Sequence, residues 1–196
     1  KMVDLSGEWP TVSFRELILQ YANIDIDIEN TKEKLLAKIK ELKIEIDSEV
    51  PLENLGYGNL IDQLYKKVAR PHLVNPVFLT EHPISLSPLA RANDERPEIT
   101  DRFQLVINGA EIINAYSELV DPQEQERRLE EQARLKAGGD EEAMPMDYDY
   151  IGAMEYGMPP ISGWGMGIDR LLQLLTSSEN IKDIVLFPLM KPIDKN

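Results

Sequence analysis

Residues 111–118, EIINAYSE, hold two carboxylates, an amide and a phenol within one short stretch. Extended backbone sends alternate side chains to opposite faces, which puts Asn114, Tyr116 and Glu118 together. That face suits a ligand carrying an ammonium group: the carboxylate supplies charge, and the amide and phenol fix orientation. The same residues would equally make the solvated outer face of an antiparallel sheet. Glu111 has the opposite parity. It shares that face only if the strand bulges between Glu111 and Asn114.

A second candidate is GWGMGIDR, residues 163–170. Gly163, Gly165 and Gly167 have no Cβ, so a ligand or another strand can approach the backbone closely. Arg170, directly after Asp169, sits where a helix should begin and can fork onto a phosphate or carboxylate. The spacing is neither G-x-G-x-x-G nor that of a P-loop. The competing reading is packing of a helix across a strand, with Asp169 and Arg170 as a surface ion pair.

Other polar residues point to structure. His72 and His82 are the only histidines and lack metal-ligand partners at suitable spacing, and the absence of cysteine excludes thiolate zinc sites. SPLAR, 87–91, reads as a turn carrying Arg91. GDEEAMPMDYDY, 139–150, lacks calcium-loop spacing and reads as a solvated loop.

These residues need elements to hold them. Apolar residues recur at helical spacing in VSFRELILQYA (12–22), NTKEKLLAKIKELKIEI (30–46) and NLIDQLYKKVARPHL (59–73). Asn30 and Glu33 are expected to cap the second helix, and Pro71 to stop the third. PVFLT (76–80) is a short β-type run. RFQLVINGAEIINAYSEL (102–119) is a hairpin turning at Asn108-Gly109, which pairs residue numbers summing to 217. DPQEQERRLEEQARLKAGG (121–139) is a mostly solvated helix: Asp121 caps it, Pro122 opens it, Glu124 completes a capping box and Gly138-Gly139 ends it. A shorter helix follows at 147–157, then a glycine-rich strand leading into a helix at 163–178, and IKDIVLFPLMKP (181–192) closes the chain. The fold class is α+β, an antiparallel sheet flanked by helices.

With 196 residues, 42% hydrophobic and 29% charged, the chain can bury a core. No run is long enough to cross a bilayer, and no signal peptide is visible. The absence of cysteine permits a cytoplasmic location. A net charge of −14 repels phosphate backbones, so nucleic-acid binding by this chain alone is not expected. Lys1 is no natural initiator, which suggests a piece of a longer protein.

NPVFLTEHPISLSPLAR (75–91), RFQLVINGAEIINAYSELVDPQEQ (102–125) and PPISGWGMGIDRLLQLLTSSENIKDIVLFPLMKP (159–192) stand in this order. Together they resemble the C-terminal half of the catalytic domain of class II lysyl-tRNA synthetases. The glycine stretch with Asp169 and Arg170 matches the third signature motif of the class, and EIINAYSELVDP resembles the lysine-type active-site strand. The resemblance implies that residues 1–196 are the C-terminal part of that domain, with 1–70 mostly helical and 71–196 carrying the sheet and third motif. It implies joining of lysine to ATP and transfer of lysine to tRNA(Lys) by a homodimeric full-length parent. Arg170 would clamp the γ-phosphate of ATP. Glu111, Ile112, Gly167 and Asp169 would complete the ATP site. Asn114, Tyr116, Glu118 and Gly165 would surround lysine. For Glu111, Asn114 and Glu118 to serve one pocket, as the resemblance implies, the strand needs a β-bulge or kink at Ile112-Ile113; the alternative is a turn elsewhere than Asn108-Gly109 and a different register throughout. Magnesium would sit on Glu111 and, weakly, on Gln104, which stands where the family usually has glutamate.

The first and second motifs and the N-terminal anticodon-binding domain have no match here, so this chain alone is expected to be inactive. Two alternatives stay open: a paralogue that lysylates a translation elongation factor, and a non-catalytic synthetase-derived binding module.

Overall fold

A computed structural model describes residues 2–188. The end of the closing segment, residues 189–192, lies outside them, as does Lys1. In chain order the elements are β1 (Thr11–Ser13), α1 (Phe14–Ala22), α2 (Lys32–Glu41), α3 (Tyr57–Val68), β2 (Val77–Thr80), β3 (Arg102–Ile107), β4 (Ala110–Ser117), α4 (Pro122–Ala137), α5 (Tyr148–Glu155), β5 (Ser162–Met166) and α6 (Ile168–Thr176). The strands form one sheet in the order β1-β2-β3-β4-β5. It is antiparallel throughout except for β1, which runs parallel to β2. The α+β reading therefore holds, with one parallel pair added to it.

Local chemistry explains most boundaries. Val12 and Ser13, expected to be helical, are strand instead. Ser13 then caps α1 in a full capping box with Glu16. The α2 cap is Thr31, which accepts from the Lys34 N–H, and not Asn30, whose side chain accepts from Lys34 Nζ. The helix stops at Glu41 and does not run on to residue 46: Lys43 takes φ 53°, which breaks the helical path. Asp121 caps α4 as expected, accepting from the Gln123 and Glu124 N–H groups. Glu124 makes no box, because its carboxylate turns to Arg127 and Arg128. Asp140, read as part of a solvated loop, is fully buried and accepts from the Gly56 N–H and the Asn59 amide.

The hairpin turn is at Asn108-Gly109, with φ 50° and 69°, as a tight turn of this type requires. Ile107 pairs with Ala110 and Val106 with Glu111, sums of 217. Beyond that point the register shifts: Leu105 pairs with Ile113, Gln104 with Asn114 and Arg102 with Tyr116, sums of 218. Ile112 is the extra residue, so the expected bulge is present.

The bulge decides which side chains share a face. Val12, Leu79, Gln104, Val106, Glu111, Asn114 and Tyr116 now stand on one side of the sheet. At β1, β2 and β3 this side carries Val12, Leu79 and Val106 into a core with Phe14, Leu17 and Ile18 of α1 and Leu60, Ile61 and Leu64 of α3. The opposite side holds Leu105, Ile107 and the bulged Ile112 against Leu171 and Leu174 of α6. At β4 and β5 the first side is left open.

Candidate functional site

The open side of β4 and β5 is the floor of a cleft of about 610 Å³. Its lining includes Glu111, Asn114, Tyr116, Glu118, Gly165 and Arg170. The glycines explain why a floor exists. Gly165 pairs with Asn114 and Gly163 with Tyr116, so the β5 positions facing the cleft have no side chains. A Cβ on Gly165 would meet nothing within 4 Å and would project into the opening. A Cβ on Gly163 would collide with the Glu118 carboxylate, which lies over that glycine.

Glu118 stands just beyond β4 and is tied on both sides. It bridges to Ala90, and its N–H donates to the Ile161 carbonyl at 3.0 Å. Burial raises its pKa above the ordinary glutamate value. The Tyr116 phenol is raised too, by burial first and then by the Glu118 charge. Tyr150 of α5 shows the same two causes in the same order. The Glu118 end of the cleft is thus a partly desolvated carboxylate with two neutral phenols in its electrostatic surroundings.

The other end carries the cation. Arg170 lies in the first turn of α6, and Gly167 precedes that helix at its N-cap. The Arg170 Nη1 donates to the Glu111 carbonyl at 2.9 Å and stands 4.0 Å from Glu111 Oε1. The guanidinium is half exposed, so its remaining donors are available to a ligand. Gly167 N–H is tied to the Ile112 carbonyl at 3.0 Å. Ile112 itself therefore contributes backbone to the cleft, while its side chain is buried behind the sheet.

Two sequence candidates stand apart. Asp169 is exposed and is absent from the cleft lining. Gln104 is buried one strand away, and its amide donates to Glu111 Oε2. Glu111 is thus a single carboxylate, with one oxygen held by a neutral amide and the other turned toward Arg170. No group of three or more His, Cys, Asp or Glu able to hold a metal is found among the described residues. A magnesium ion held mostly by phosphate and water needs only one or two protein carboxylates, and Glu111 fits that demand.

Sequence reasoning missed Arg102. It pairs with Tyr116 across the ladder and shares the face of Gln104, two residues on. Its Nε donates to Asn114 Oδ1 at 2.9 Å, and its Nη1 to Ser87 Oγ at 2.9 Å and the Leu86 carbonyl at 3.2 Å. These residues border a side chamber of about 160 Å³ that shares Asn114 and Tyr116 with the main cleft. Parity along β3 was the available signal: an arginine two residues before Gln104 has to share its face.

His82 is buried, with both ring nitrogens unpaired in normal geometry, and burial drives its pKa down to about 3. It packs on Phe14 with ring centroids 5.3 Å apart, and His72 stacks on Tyr21 at 4.5 Å. Neither histidine lines the cleft.

The class II tRNA synthetases (D, K and N) match this chain over residues 1–191. A lysine–tRNA ligase of Helicobacter hepaticus is 41% identical over 194 residues, which are 99% of this chain and 36% of that protein. A lysine–tRNA ligase of Thermosipho africanus is 44% identical over 191 residues, 97% of this chain and 36% of that protein. One of Moorella thermoacetica is 42% identical over 190 residues, 97% of this chain and 38% of that protein. The chain thus spans little more than a third of the length of these relatives.

Proposed function

The chain belongs to the class II tRNA synthetases (D, K and N), and from that premise we propose that its cleft is the lysine- and ATP-binding part of a lysine–tRNA ligase. The observation that carries this reading is the bulge at Ile112. It turns Glu111 onto the face of Asn114 and Tyr116, beside a glycine floor, with Arg170 at one end and Glu118 at the other. Asn114 and Glu118 are four strand residues apart, roughly 13 Å along the backbone. The space between them suits an extended amino acid with a cation at its tip.

In this reading residues 1–196 are the C-terminal part of the catalytic domain of a longer parent. Glu118 takes the lysine ammonium, and Asn114 and Tyr116 orient the amino acid over Gly165. Arg170 binds the γ-phosphate of ATP, with Gly167, Ile112 and Glu111 along the nucleotide. Asp169 contributes to the ATP site only through its place in the helix start, since its side chain is outside the cleft lining. Glu111 would hold magnesium, with the Gln104 amide keeping that carboxylate in place, and the ion would supply charge neutralisation on the phosphates.

The chemistry follows from positions. A lysine carboxylate oxygen attacks the α-phosphorus, the α–β bridging bond breaks, and pyrophosphate leaves with that electron pair. Arg170 stabilises the charge that builds on the departing group. Lysine then passes from the adenylate to tRNA(Lys), releasing AMP. The acidic surface of this chain assigns most tRNA contact to other parts of a cytoplasmic, homodimeric parent. No helix of the described residues is long and apolar enough to cross a membrane.

The test is amino-acid-dependent ATP–pyrophosphate exchange by the full-length parent. Exchange is expected with lysine and not with aspartate or asparagine, because the partly buried Glu118 carboxylate repels the side chain of one and finds no side-chain cation on the other. Exchange driven by aspartate or asparagine, or no exchange with lysine, would overturn the reading. The Arg170→Lys variant should lose about 10²–10³ in kcat, since a point charge replaces a fork at the leaving phosphate.

A further inference from the structure

We propose that Arg102 is a positioning residue that fixes the side-chain amide of Asn114 with its N–H₂ end toward the cleft, so that this position recognises the carboxylate end of the bound amino acid. The inference rests on the lysine reading of the cleft given above.

The argument begins with donors and acceptors. A guanidinium can only donate. Arg102 Nε reaches the Asn114 side chain at 2.9 Å, so the atom it meets has to be the carbonyl oxygen. The reverse orientation would set N–H against N–H. Asn114 therefore presents Nδ2 as its free end. A free N–H₂ suits a carboxylate or carbonyl oxygen and repels an ammonium. The side-chain ammonium is then left to Glu118, four residues along the same face. The α-carboxylate and the side-chain ammonium of lysine are distinguished on one strand by one donor and one acceptor.

Arg102 is itself held so that it can impose this orientation. Its Nη1 is fixed by Ser87 Oγ and the Leu86 carbonyl, and its backbone lies opposite Tyr116 in the ladder. No carboxylate lies within 4.0 Å of it among the described residues, unlike Arg15, Arg96 or Arg128. The opposing charges that bear on it, Glu111 and Asp62, act without a direct ion pair. Burial weakens its hold on the proton. An arginine kept in such a place without a directly paired acid is costly to the fold, and its strongest specific contact to a site residue is with Asn114.

Lysine and cadaverine separate this role from simple structural support, because cadaverine is lysine without its carboxylate. In the full-length parent, Arg102→Met should raise the KM for lysine about tenfold, the scale of a lost hydrogen bond to a charged group. The KM for ATP and the inhibition constant of cadaverine should each change by less than about threefold. Ser87→Ala, which loosens the arginine without removing it, should shift lysine in the same direction by a smaller factor. It also carries the test if Arg102→Met does not fold. Equal weakening of lysine and cadaverine would make Arg102 merely structural and overturn the proposal, as would an unchanged lysine KM in both variants. A wild-type parent that activates no lysine would instead remove the reading on which the proposal rests.

Discussion

Glu111 and Asn114 stand three residues apart on β4 yet line the same cleft. In a regular strand they would face opposite ways. The unpaired Ile112 between them turns the rest of the strand over, and its own side chain is absorbed by the cluster around Leu105 and Ile107. The two residues should then serve different substrates from one surface. Glu111→Gln is expected to raise the KM for ATP and the magnesium requirement about tenfold, with the lysine KM within about threefold. Asn114→Ala should do the reverse. Steady-state exchange kinetics in both substrates check this, and identical effects from the two variants would contradict it.

Glu118 ties affinity to pH and opposes it to stability. Burial raises its pKa in the folded chain above the unfolded value near 4.5. A raised pKa means its favourable contribution to folding is complete below that value and is lost as pH rises through the folded pKa. At neutral pH the charged carboxylate is therefore a destabilising group. Glu118→Gln should leave Tm equal or higher at pH 7, with the difference vanishing in acid below the unfolded pKa. The same variant should weaken lysine binding by about 2–5 kcal/mol while sparing ATP. Lysine affinity of the wild type should fall as pH drops through the raised pKa. A variant that loses stability at pH 7 and keeps its lysine affinity would reverse both assignments.

Gly163 and Gly165 share one strand and one face but should respond differently to alanine. At Gly165 the new methyl meets no atom, so stability should stay within about 0.5 kcal/mol of wild type. Lysine should nonetheless bind more weakly, because the methyl occupies the floor. At Gly163 the methyl displaces the Glu118 carboxylate, the far end of a flexible side chain. Gly163→Ala should therefore resemble a mild Glu118→Gln, losing lysine more than ATP. Thermal melts and binding isotherms on the two variants distinguish the cases.

The hairpin was legible because its signals are local and redundant. Asn108-Gly109 sets the turn, and opposite parity of Glu111 and Asn114, joined to a resemblance that puts both in one pocket, implies the bulge. The caps were less so: Asn30 and Thr31 are adjacent and chemically able, and only the backbone decides that Thr31 reaches the Lys34 N–H. Asp140 looked solvated because its neighbours are acidic. Its burial depends on Gly56 and Asn59, more than eighty residues earlier. Arg102 was missed for a related reason. Its partners Leu86 and Ser87 lie in a turn whose path past the sheet no local pattern encodes.

The outer edge of the sheet makes the last prediction. β5 pairs with β4 on one side and, among the described residues, with no strand on the other. Strand edges of this kind present unpaired N–H and C=O groups to any other strand. Ile168, Leu172 and Leu175 follow i, i+4, i+7 spacing on α6 and are 56%, 41% and 62% exposed. Trp164 of the edge strand β5 is 70% exposed as well. Leu171 and Leu174 already use the other face of α6 against the sheet, so the helix cannot rotate to hide the stripe. The isolated chain should self-associate, and its mean sedimentation coefficient should rise across a hundredfold range of concentration, about 1–100 μM being suitable for weak pairing. Leu172→Lys with Leu175→Lys should abolish the rise with little loss of stability, because both residues point away from the Leu105–Ile112 cluster. A wild-type chain that stays monomeric throughout would mean that the edge and the stripe are protected in solution, against the geometry described here.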